Sequence, residues 1–241
     1  MSRLPIPQPD CAGRWPSALS NVADMTTTMI GSGLYDAAEV ALLVGLAPDQ
    51  VVRWTTDSAH GAAPVVPTFD RLYSFADLVA LTVVGQVRTH VSDRRLRRGV
   101  TELRSRFDIV NPLAVDSILA KLATSGNSFL LRDSGDEFDD IGQGGQGTFR
   151  EVVELDLKRI EFDDRGGPAK WRPADGIIID PNIQAGAPCL DGTRIPTAMV
   201  ALRLAVDEPE DIAFDLDIEL AAVAIAAQFE EMLADGAGIP A

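Results

Sequence analysis

The segment from Ser74 to Val91 is almost continuously apolar, and this run limits the possible folds more than any other feature. A helix that is apolar on all of its sides has to be covered on all of them. The chain nevertheless contains no uninterrupted apolar run of about eighteen residues, the length that a membrane span requires. We therefore expect a buried helix inside a folded, non-membrane protein, with residues 75–91 forming the seam between two copies of the chain.

The cysteines and histidines favour a cytoplasmic protein without a metal site. Cys11 and Cys189 lie in unlike contexts, which argues against a disulfide scaffold and favours a reducing compartment. Two histidines and two scattered cysteines also leave little for a zinc centre. Acidic pairs such as Asp139/Asp140 could bind Mg²⁺, but adjacent carboxylates in a polar loop are more often solvated, and no catalytic pattern accompanies them. We expect no enzymatic activity and no cofactor.

Charge is distributed unevenly along the 241 residues, whose formal net charge is -15. Residues 1–132 carry 13 Lys/Arg and 12 Asp/Glu, whereas residues 133–241 carry 8 and 24. An acidic protein with one basic region, between Arg88 and Arg106, is better suited to two specific partners of opposite charge than to non-specific binding. The arginines from 94 to 106 have two interpretations: a second phosphate-binding surface, or a solvated face that pairs with the acidic half.

Two short helices are predicted at the start of the ordered chain. Asp36 followed three residues later by Glu39 has the form of a capping box and predicts a helix that stops at Gly45. Pro48 is typical of a first turn and predicts a second helix that ends near Trp54. Two short helices joined by a glycine turn are typical of a helix-turn-helix.

The rest of the chain predicts a mainly α-helical protein with a β-rich middle. Helical spacing covers residues 94–107 and 112–125, whereas residues 55–72 predict a loop or a short β-ribbon. Short strands or hairpins are expected at 129–131, 152–157, 160–162 and 177–179. Helices are expected after Ile195, after Pro209, and after a cap at Asp215 or Asp217.

These patterns divide the chain into four parts. Residues 1–32 are polar, lack periodicity and predict a flexible arm. The other three are a helical unit at 33–126, a β-rich connecting region at 127–172 and a small helical domain at 173–235.

The stretch from residue 35 to 78 carries the first family resemblance. It reads YDAAEVALLVGLAPDQVVRW and continues, after a loop, as RLYSFADL. Its Arg53-Trp54 pair, the Arg71-x-Tyr73-Ser74 element and the following Asp77-Leu78 resemble the winged helix-turn-helix of MerR-like regulators. Two departures are Ala47, where a serine usually caps the second helix, and a longer wing.

The MerR-like resemblance implies a DNA-binding and dimerisation domain at residues 33–126. It implies that Arg53, Arg71 and Tyr73 hold the DNA backbone, while Asp49 and Gln50 near the exposed start of the second helix face base edges. Guanidinium and hydroxyl groups suit phosphates, and short polar side chains at a helix start can reach the major groove.

The C-terminal part carries the second resemblance. It contains Asp180-Pro181, Gly186-x-Pro188 and Gly192-Thr193-Arg194-Ile195-Pro196, and resembles small bacterial antitoxin-type domains with these motifs. Asp191-Gly192 is a tight-turn pair that could close a hairpin. Most of the motif residues therefore predict a structural role, with Arg194 as the exception because it is a lone cation in an acidic region.

Together, the two resemblances indicate a similarity to VapB-type antitoxins of VapBC toxin–antitoxin modules, of the long mycobacterial type. This similarity implies a homodimer that binds operator DNA, represses its own operon and neutralises a PIN-domain ribonuclease toxin by direct binding. Arg194 and Arg203 are the expected toxin contacts. The alternative is a MerR-like transcription factor whose C-terminal half senses a small molecule in a pocket among residues 129–172 and has no toxin partner. A weaker third hypothesis is a Mg²⁺-dependent enzyme.

Overall fold

The computed structural model describes residues 33–133, 137–144, 146–147, 152–155 and 159–236. Helices and two antiparallel sheets combine in a mixed α/β structure. In the described residues, helices occupy both ends and the strands lie between residues 122 and 190. The predicted order of helical ends and β-rich middle is therefore confirmed at this level, whereas the predicted arm at 1–32 lies outside the described residues.

The first two helices form where their capping residues predict them. Helix α1 spans Ala37–Val44, and the Asp36 carboxylate accepts hydrogen bonds from two first-turn amides at 2.7 and 2.8 Å. The Glu39 carboxylate accepts from the Asp36 amide at 2.8 Å and completes the capping box. Gly45 ends the helix at φ +68°, a left-handed conformation that glycine adopts without strain. Helix α2 spans Pro48–Trp54, with the proline in its first turn.

Helix α3, Phe75–Val87, is surrounded by other parts of the same chain. Residues 78–81 have no exposed surface, and neither have Val83 and Val84. The apolar pattern thus predicted burial correctly. The prediction that residues 75–91 form a dimer seam is wrong for the apolar side chains of α3, which are already packed within one chain; the exposed residues of this stretch, Thr89 and His90, follow the helix.

Helix α4, Asp93–Phe107, matches the predicted amphipathic helix. Its apolar face is fully buried through Leu96, Val100 and Leu103. The helix ends at Asp108, which has a left-handed φ of +54°. The arginines of the basic region other than Arg88 lie along this helix, so its orientation determines which of them reach solvent.

Residues 112–125 do not form the single helix that their spacing predicts. They form a 3₁₀ turn at Pro112–Ala114, a one-turn helix α5 at Asp116–Leu119 and strand β1 at Leu122–Ser125. Strand β1 turns at Gly126 into strand β2, Ser128–Arg132, with which it pairs antiparallel. Pairing with β2 satisfies the backbone of β1 from outside the segment, which helical spacing of apolar residues cannot reveal.

The strands form two separate sheets. The remaining strands of the first are β3 (Phe138–Asp140), β4 (Gln146–Gly147) and β5 (Val153–Glu154), in the order β4-β3-β2-β1-β5. The second consists of β6 (Ile160–Phe162), β7 (Pro168–Ala174), β8 (Ile177–Ile179) and β9 (Cys189–Leu190), in chain order. Because β7 pairs with β8, the second sheet crosses the domain boundary predicted at residue 172.

Three helices follow the second sheet: α6 (Thr197–Arg203), α7 (Pro209–Leu216) and α8 (Leu220–Ala234). Helix α7 begins at Pro209 as predicted. The predicted cap of the last helix is wrong, because Asp217 ends α7 with a φ of +52° and Glu219 is the residue that precedes α8. Helix α8 packs against the core through Val223, Ala226, Phe229 and Leu233.

One cluster of buried apolar side chains extends from Tyr35 before α1 to Leu233 in α8. It includes Trp171 of β7, and strand β7 lies close to α3. The N-terminal helices and the C-terminal helices therefore share one interior. Within the described ranges, every helix is too short or too polar to cross a membrane.

Candidate nucleic-acid interface

Helix α2 lies at the surface with one face open to solvent. Val51 and Trp54 are buried and attach the helix to the core, whereas Asp49, Val52 and Arg53 are exposed. A short exposed helix that follows a tight turn can enter a major groove. The predicted contact residues Asp49 and Arg53 are accessible for that purpose.

Gln50 has a local role besides the predicted one. Ala47 precedes α2 and has no side-chain oxygen with which to cap it. The Gln50 side-chain oxygen accepts a 3.3 Å hydrogen bond from the Ala47 amide instead. The carboxamide NH₂ group of Gln50 donates hydrogen bonds and is not used in this contact.

Arg53 is held by a carboxylate from another helix. Its guanidinium donates to Asp93 at 2.6 Å, although the Arg53 side chain remains 58% exposed. Asp93 also accepts a 2.5 Å hydrogen bond from Arg97. Burial alone would raise the pKa of Asp93, but hydrogen bonds from the two arginines, and their charges, outweigh it and hold the pKa below its ordinary value. Asp93 is thus ionised and shared between an exposed and a buried arginine.

Arg97 is fully buried and holds the loop that follows α2. Its guanidinium lies 5.4 Å from the centre of the Trp54 ring, a cation–π distance. The same group donates, at 2.7–3.3 Å, to four backbone carbonyls, those of Arg53, Thr56, Gly61 and Ala62. Since three of these carbonyls belong to the loop and the fourth to α2, Arg97 ties both the loop and the end of α2 to α4.

Arg104 holds the next part of the same loop. It donates to the carbonyls of Ala63, Pro64 and Val110 at 2.7–2.8 Å. Burial lowers the pKa of Arg104, but an arginine remains charged even so. The segment predicted as a loop or short ribbon is a loop with two single-residue bridges, Ser58–Gly61 and Phe69–Leu72.

The arginines from 94 to 106 therefore have different roles, which depend on the side of helix α4 that each occupies. Arg97 and Arg104 clamp backbone carbonyls, which neither interpretation of the run included. Arg106 pairs with Asp139 at 2.8 Å and Asp133 at 3.6 Å, as expected for pairing with the acidic half. The seven-residue spacing of Arg97 and Arg104, which places both beside buried Val100, is the signal that could have identified them.

A cavity of about 200 Å³ opens beside α2, between the end of α3 and the start of α4. Gln50, Arg53, Arg88 and Ser92 line it, together with Asp93. The Arg88 Nε atom is buried and has no hydrogen-bond partner among the described residues. Two guanidinium groups and the first turn of a 15-residue helix suit a phosphate group, although Asp93 offsets part of the positive charge. The sequence placed Arg88 in the basic region but did not single it out.

The structure gives Arg71 and Tyr73 different surroundings. Arg71 is exposed and has a φ of +63°, which is uncommon for a residue other than glycine. Tyr73 is only 5% exposed, and its backbone pairs with Tyr35 through hydrogen bonds of 2.8 and 3.0 Å. Its hydroxyl lies 3.3 Å from the Thr55 hydroxyl at the end of α2. Arg71 can therefore reach a phosphate directly. The buried Tyr73 anchors the end of α2, and a contact between Tyr73 and the DNA backbone stays a prediction.

The Gly-Thr-Arg-Ile-Pro motif builds a turn, with Gly192 at φ +77°. The Thr193 hydroxyl donates to the Leu190 carbonyl at 2.8 Å and accepts from the Ile195 amide at 3.0 Å. The predicted tight turn is therefore present, and the motif holds the backbone. Arg194 is its exposed cation.

Arg203 joins two helices. It donates to Asp207 and to Asp215 at 2.7 Å each, and so ties the end of α6 to α7. The hydrogen bonds with Asp215 and Asp207 raise the pKa of Arg203. A contact between Arg203 and a toxin stays a prediction, and it would require Arg203 to release these carboxylates.

The third hypothesis, a metal-dependent enzyme, requires side chains that could hold a metal. Within the part of the chain that the structure describes, no group of three or more His, Cys, Asp and Glu side chains comes together to hold a metal. Cys189 is buried, and burial raises the pKa of its thiol. A buried, protonated thiol is a poor nucleophile.

Comparison with known proteins identifies one domain. Among solved structures, the X-ray crystal structure of Rv2018 from Mycobacterium tuberculosis has a similar fold, with a TM-score of 0.56 and 18% sequence identity over 82% of this chain and 98% of that chain. No curated protein matches the chain at a significant level. Residues 177–229, from β8 into α8, match the family described as a protein of unknown function, DUF433, and these residues alone are called the DUF433 domain.

Proposed function

We propose that this chain is an antitoxin that binds operator DNA through α1, α2 and the following loop, and neutralises a PIN-domain ribonuclease toxin by direct binding. The observation that carries the proposal is the exposed face of α2 with arginines beside it, on a protein that is otherwise strongly acidic. In this proposal α1 and α2 form a MerR-like helix-turn-helix, and the loop held by Arg97 and Arg104 is its wing.

The arrangement of arginines supports DNA binding. Arg53 and Arg71 are exposed, and Arg88, whose Nε has no hydrogen-bond partner in the described part of the chain, lines the cavity at α2. Arg53 can exchange Asp93 for a phosphate without leaving Asp93 alone, because Arg97 still pairs with it. Phosphate contacts of this kind fix the register of the protein on the duplex, while α2 presents Asp49 and Gln50 to base edges.

Dimerisation follows from the size of α2. One short helix reads too few base pairs for useful specificity, and a two-fold dimer doubles the contacts on a palindromic operator. Since α3 is buried within one chain, the dimer contact has to use another surface.

The charge of the C-terminal half supports a protein partner there. Residues 133–241 carry 24 acidic and 8 basic side chains, and no Lys, Arg or His follows Arg203. Such a surface repels DNA and attracts a basic protein surface. The proposal therefore assigns DNA to the N-terminal unit and the toxin to the DUF433 domain, where Arg194 is an exposed candidate contact.

The alternative function, a transcription factor that senses a small molecule, has one structural observation in its favour. An open depression of about 600 Å³ lies against β6 and β7. Its lining is charged and partly paired, since Arg172 forms ion pairs with Glu161 and with Asp191. Small-molecule sites are mostly concave and apolar, so this depression supports the alternative less than the arginines and the acidic half support the antitoxin.

The DNA proposal is tested with fluorescence anisotropy on the duplex upstream of the chain's own reading frame. We expect Arg53→Ala and Arg71→Ala to weaken binding to all duplexes alike and to lower the slope of log K against log salt by about one each. Arg165→Ala, which removes an exposed arginine from the turn between β6 and β7, is the matched control. A change of sequence preference in the Arg53 variant would contradict its assignment to phosphate.

The toxin proposal is tested with the product of the neighbouring reading frame. We expect this product to carry the carboxylate pattern of a PIN-domain ribonuclease and to lose its RNase activity when the purified chain is added. Absence of a complex between the two purified proteins would refute the antitoxin function, and DNA binding that responds to a small molecule would favour the alternative.

A further inference from the structure

Three apolar side chains at the junction of α6 and α7 are the most exposed large hydrophobic groups among the described residues. Their exposed fractions are 74% for Leu202, 84% for Val206 and 88% for Phe214. We call these three side chains the apolar patch. Single exposed hydrophobic residues are common on protein surfaces, whereas a group of them indicates a contact surface.

The ion pairs of Arg203 hold the segments that carry the apolar patch near one another. Each member directly precedes a residue of this cluster: Leu202 precedes Arg203, Val206 precedes Asp207 and Phe214 precedes Asp215. Since adjacent Cα atoms are about 3.8 Å apart, the backbone of all three residues lies close to the cluster.

The local backbone places two of the patch residues on one side of the helix. The amides of Val206 and Asp207 donate to the Arg203 carbonyl at 2.9 and 2.8 Å, so the helical turn continues beyond the end of α6. Leu202 and Val206 are four residues apart, a spacing that puts them on the same helical face. The apolar patch is therefore built into ordered backbone.

The charge around the apolar patch selects its partner. Seven acidic residues lie between positions 207 and 219: Asp207, Glu208, Glu210, Asp211, Asp215, Asp217 and Glu219. A surface with an apolar centre and an acidic rim is complementary to an apolar pocket rimmed by Lys and Arg.

We propose that the apolar patch is the docking surface for a basic protein partner, with Phe214 inserted in an apolar pocket of that partner. The proposal rests on the proposed antitoxin function and identifies this partner as the toxin. It assigns the toxin contact to Leu202, Val206 and Phe214, while Arg203 positions them.

Other occupants fit this surface less well. Nucleic acids and anionic lipid headgroups carry the same sign of charge as the acidic rim. A second copy that used the same patch would bring two acidic rims together. A second copy that used its basic helix α4 has fewer arginines to offer, because Arg97, Arg104 and Arg106 are engaged within the chain.

The experiment compares three full-length proteins for binding to the purified product of the neighbouring reading frame. These are the wild type, the double variant Leu202→Ala/Phe214→Ala and the control Val110→Ala, whose side chain is exposed in the N-terminal unit. We expect the double variant to bind about a hundredfold more weakly and the control to bind as the wild type does. Both variants should keep the wild-type circular dichroism spectrum and operator affinity, since neither change touches the core or α2.

The acidic rim of the apolar patch gives the binding experiment a second readout, the dependence of the rate constants on salt. We expect the association rate constant of the wild type to fall as salt is added, while the dissociation rate constant changes little. An association rate constant that does not depend on salt would overturn the assignment of a basic partner.

The possible failures can be distinguished. If the double variant binds the neighbouring product as tightly as the wild type does, the docking surface is wrong and the antitoxin function stands. If the wild type does not bind that product at all, the antitoxin function falls, and this inference falls with it. If the double variant instead converts a dimer into a monomer in analytical ultracentrifugation without weakening partner binding, the apolar patch is a contact between copies and the proposal is overturned.

Discussion

The Tyr35 hydroxyl donates a 2.9 Å hydrogen bond to the carbonyl of Gly186, 151 residues away in the chain. The bond is buried and joins the segment before α1 to the DUF433 domain. The Leu34 amide donates to the Ala185 carbonyl at 3.2 Å beside it. Burial, followed by the charges of Glu39 and Asp180, raises the pKa of Tyr35, so the hydroxyl stays protonated and able to donate. The proposed DNA-binding part and the proposed toxin-binding part therefore share a direct polar contact.

Replacement of Tyr35 by phenylalanine should lower the free energy of unfolding by about 1–3 kcal/mol, because it leaves the buried Gly186 carbonyl without its donor. The urea midpoint at neutral pH measures the loss. Tyr73→Phe is the matched control, since the Tyr73 hydroxyl has a longer contact of 3.3 Å with a side chain that is itself partly accessible. Equal midpoints for the wild type and Tyr35→Phe would show that the hydrogen bond contributes nothing.

Replacement of Arg97 should destabilise the protein far more than replacement of an exposed arginine of the same helix. Arg97→Met removes the donor to four backbone carbonyls, three in the loop and one in α2, and a partner of Asp93, for which we expect a loss of about 3–5 kcal/mol. Arg97→Lys should recover little of this, because an ammonium group cannot reproduce the planar set of donors. Arg94→Met is the control and should stay within about 0.5 kcal/mol of the wild type in chemical denaturation.

The stability that Asp93 contributes should depend on pH in the acid range. Its pKa is lower in the folded protein than in the unfolded chain, so the contribution is complete above the ordinary aspartate pKa of about 3.9 and is lost as the pH falls through the folded value. The difference in unfolding free energy between wild type and Asp93→Asn should therefore shrink from pH 7 towards pH 3. The same comparison with Asp164→Asn, at an exposed turn, corrects for the loss of one negative charge. A difference that grows on acidification would reverse the assigned direction of the pKa shift.

Two helical glycines should respond to alanine with opposite signs. A Cβ on Gly99 of α4 would lie 2.5 Å from Phe129 Cδ1, so Gly99→Ala should cost about 1–3 kcal/mol through overpacking. A Cβ on Gly85 of α3 would meet only an ordinary contact of 3.4 Å with Val44, and Gly85→Ala should stabilise the helix by about 0.5–1 kcal/mol. Thermal or urea midpoints of the two variants provide the measurement. Destabilisation by Gly85→Ala would mean that Val44 cannot yield at this contact.

Local signals predicted the parts of the fold that depend on neighbouring residues. The carboxylates of Asp36 and Glu39 can cap α1 because the amides that they bind lie within the same helical turn. Pro48 can start α2 because the first turn of a helix does not need the amide that proline lacks. The same reasoning failed at residues 112–125, where spacing alone favoured a helix. Strand β1 forms there because β2 supplies its backbone partners, and pairing between segments cannot be read from periodicity.

The sequence predicted which residues the candidate site contains better than it predicted how they are arranged. The exposed positions of Asp49, Arg53 and Arg71 agree with what the MerR-like resemblance implies, whereas the burial of Tyr73 was not expected. The division of the arginine run was also hidden. Arg97 and Arg94 have the same chemistry, and only the direction of each side chain on the packed helix separates a buried clamp from a solvated charge.

The ends of α1 and α2, the buried character of α3 and the contrast in charge between the two halves follow from the order of the residues, because each depends on interactions within a few positions or on composition. The loop clamp of Arg97, the contact between Tyr35 and Gly186 and the grouping of Leu202, Val206 and Phe214 depend on packing between distant segments. The partners in such contacts are far apart in the chain and meet only when the whole chain has packed around one core. Local sequence patterns therefore cannot predict them.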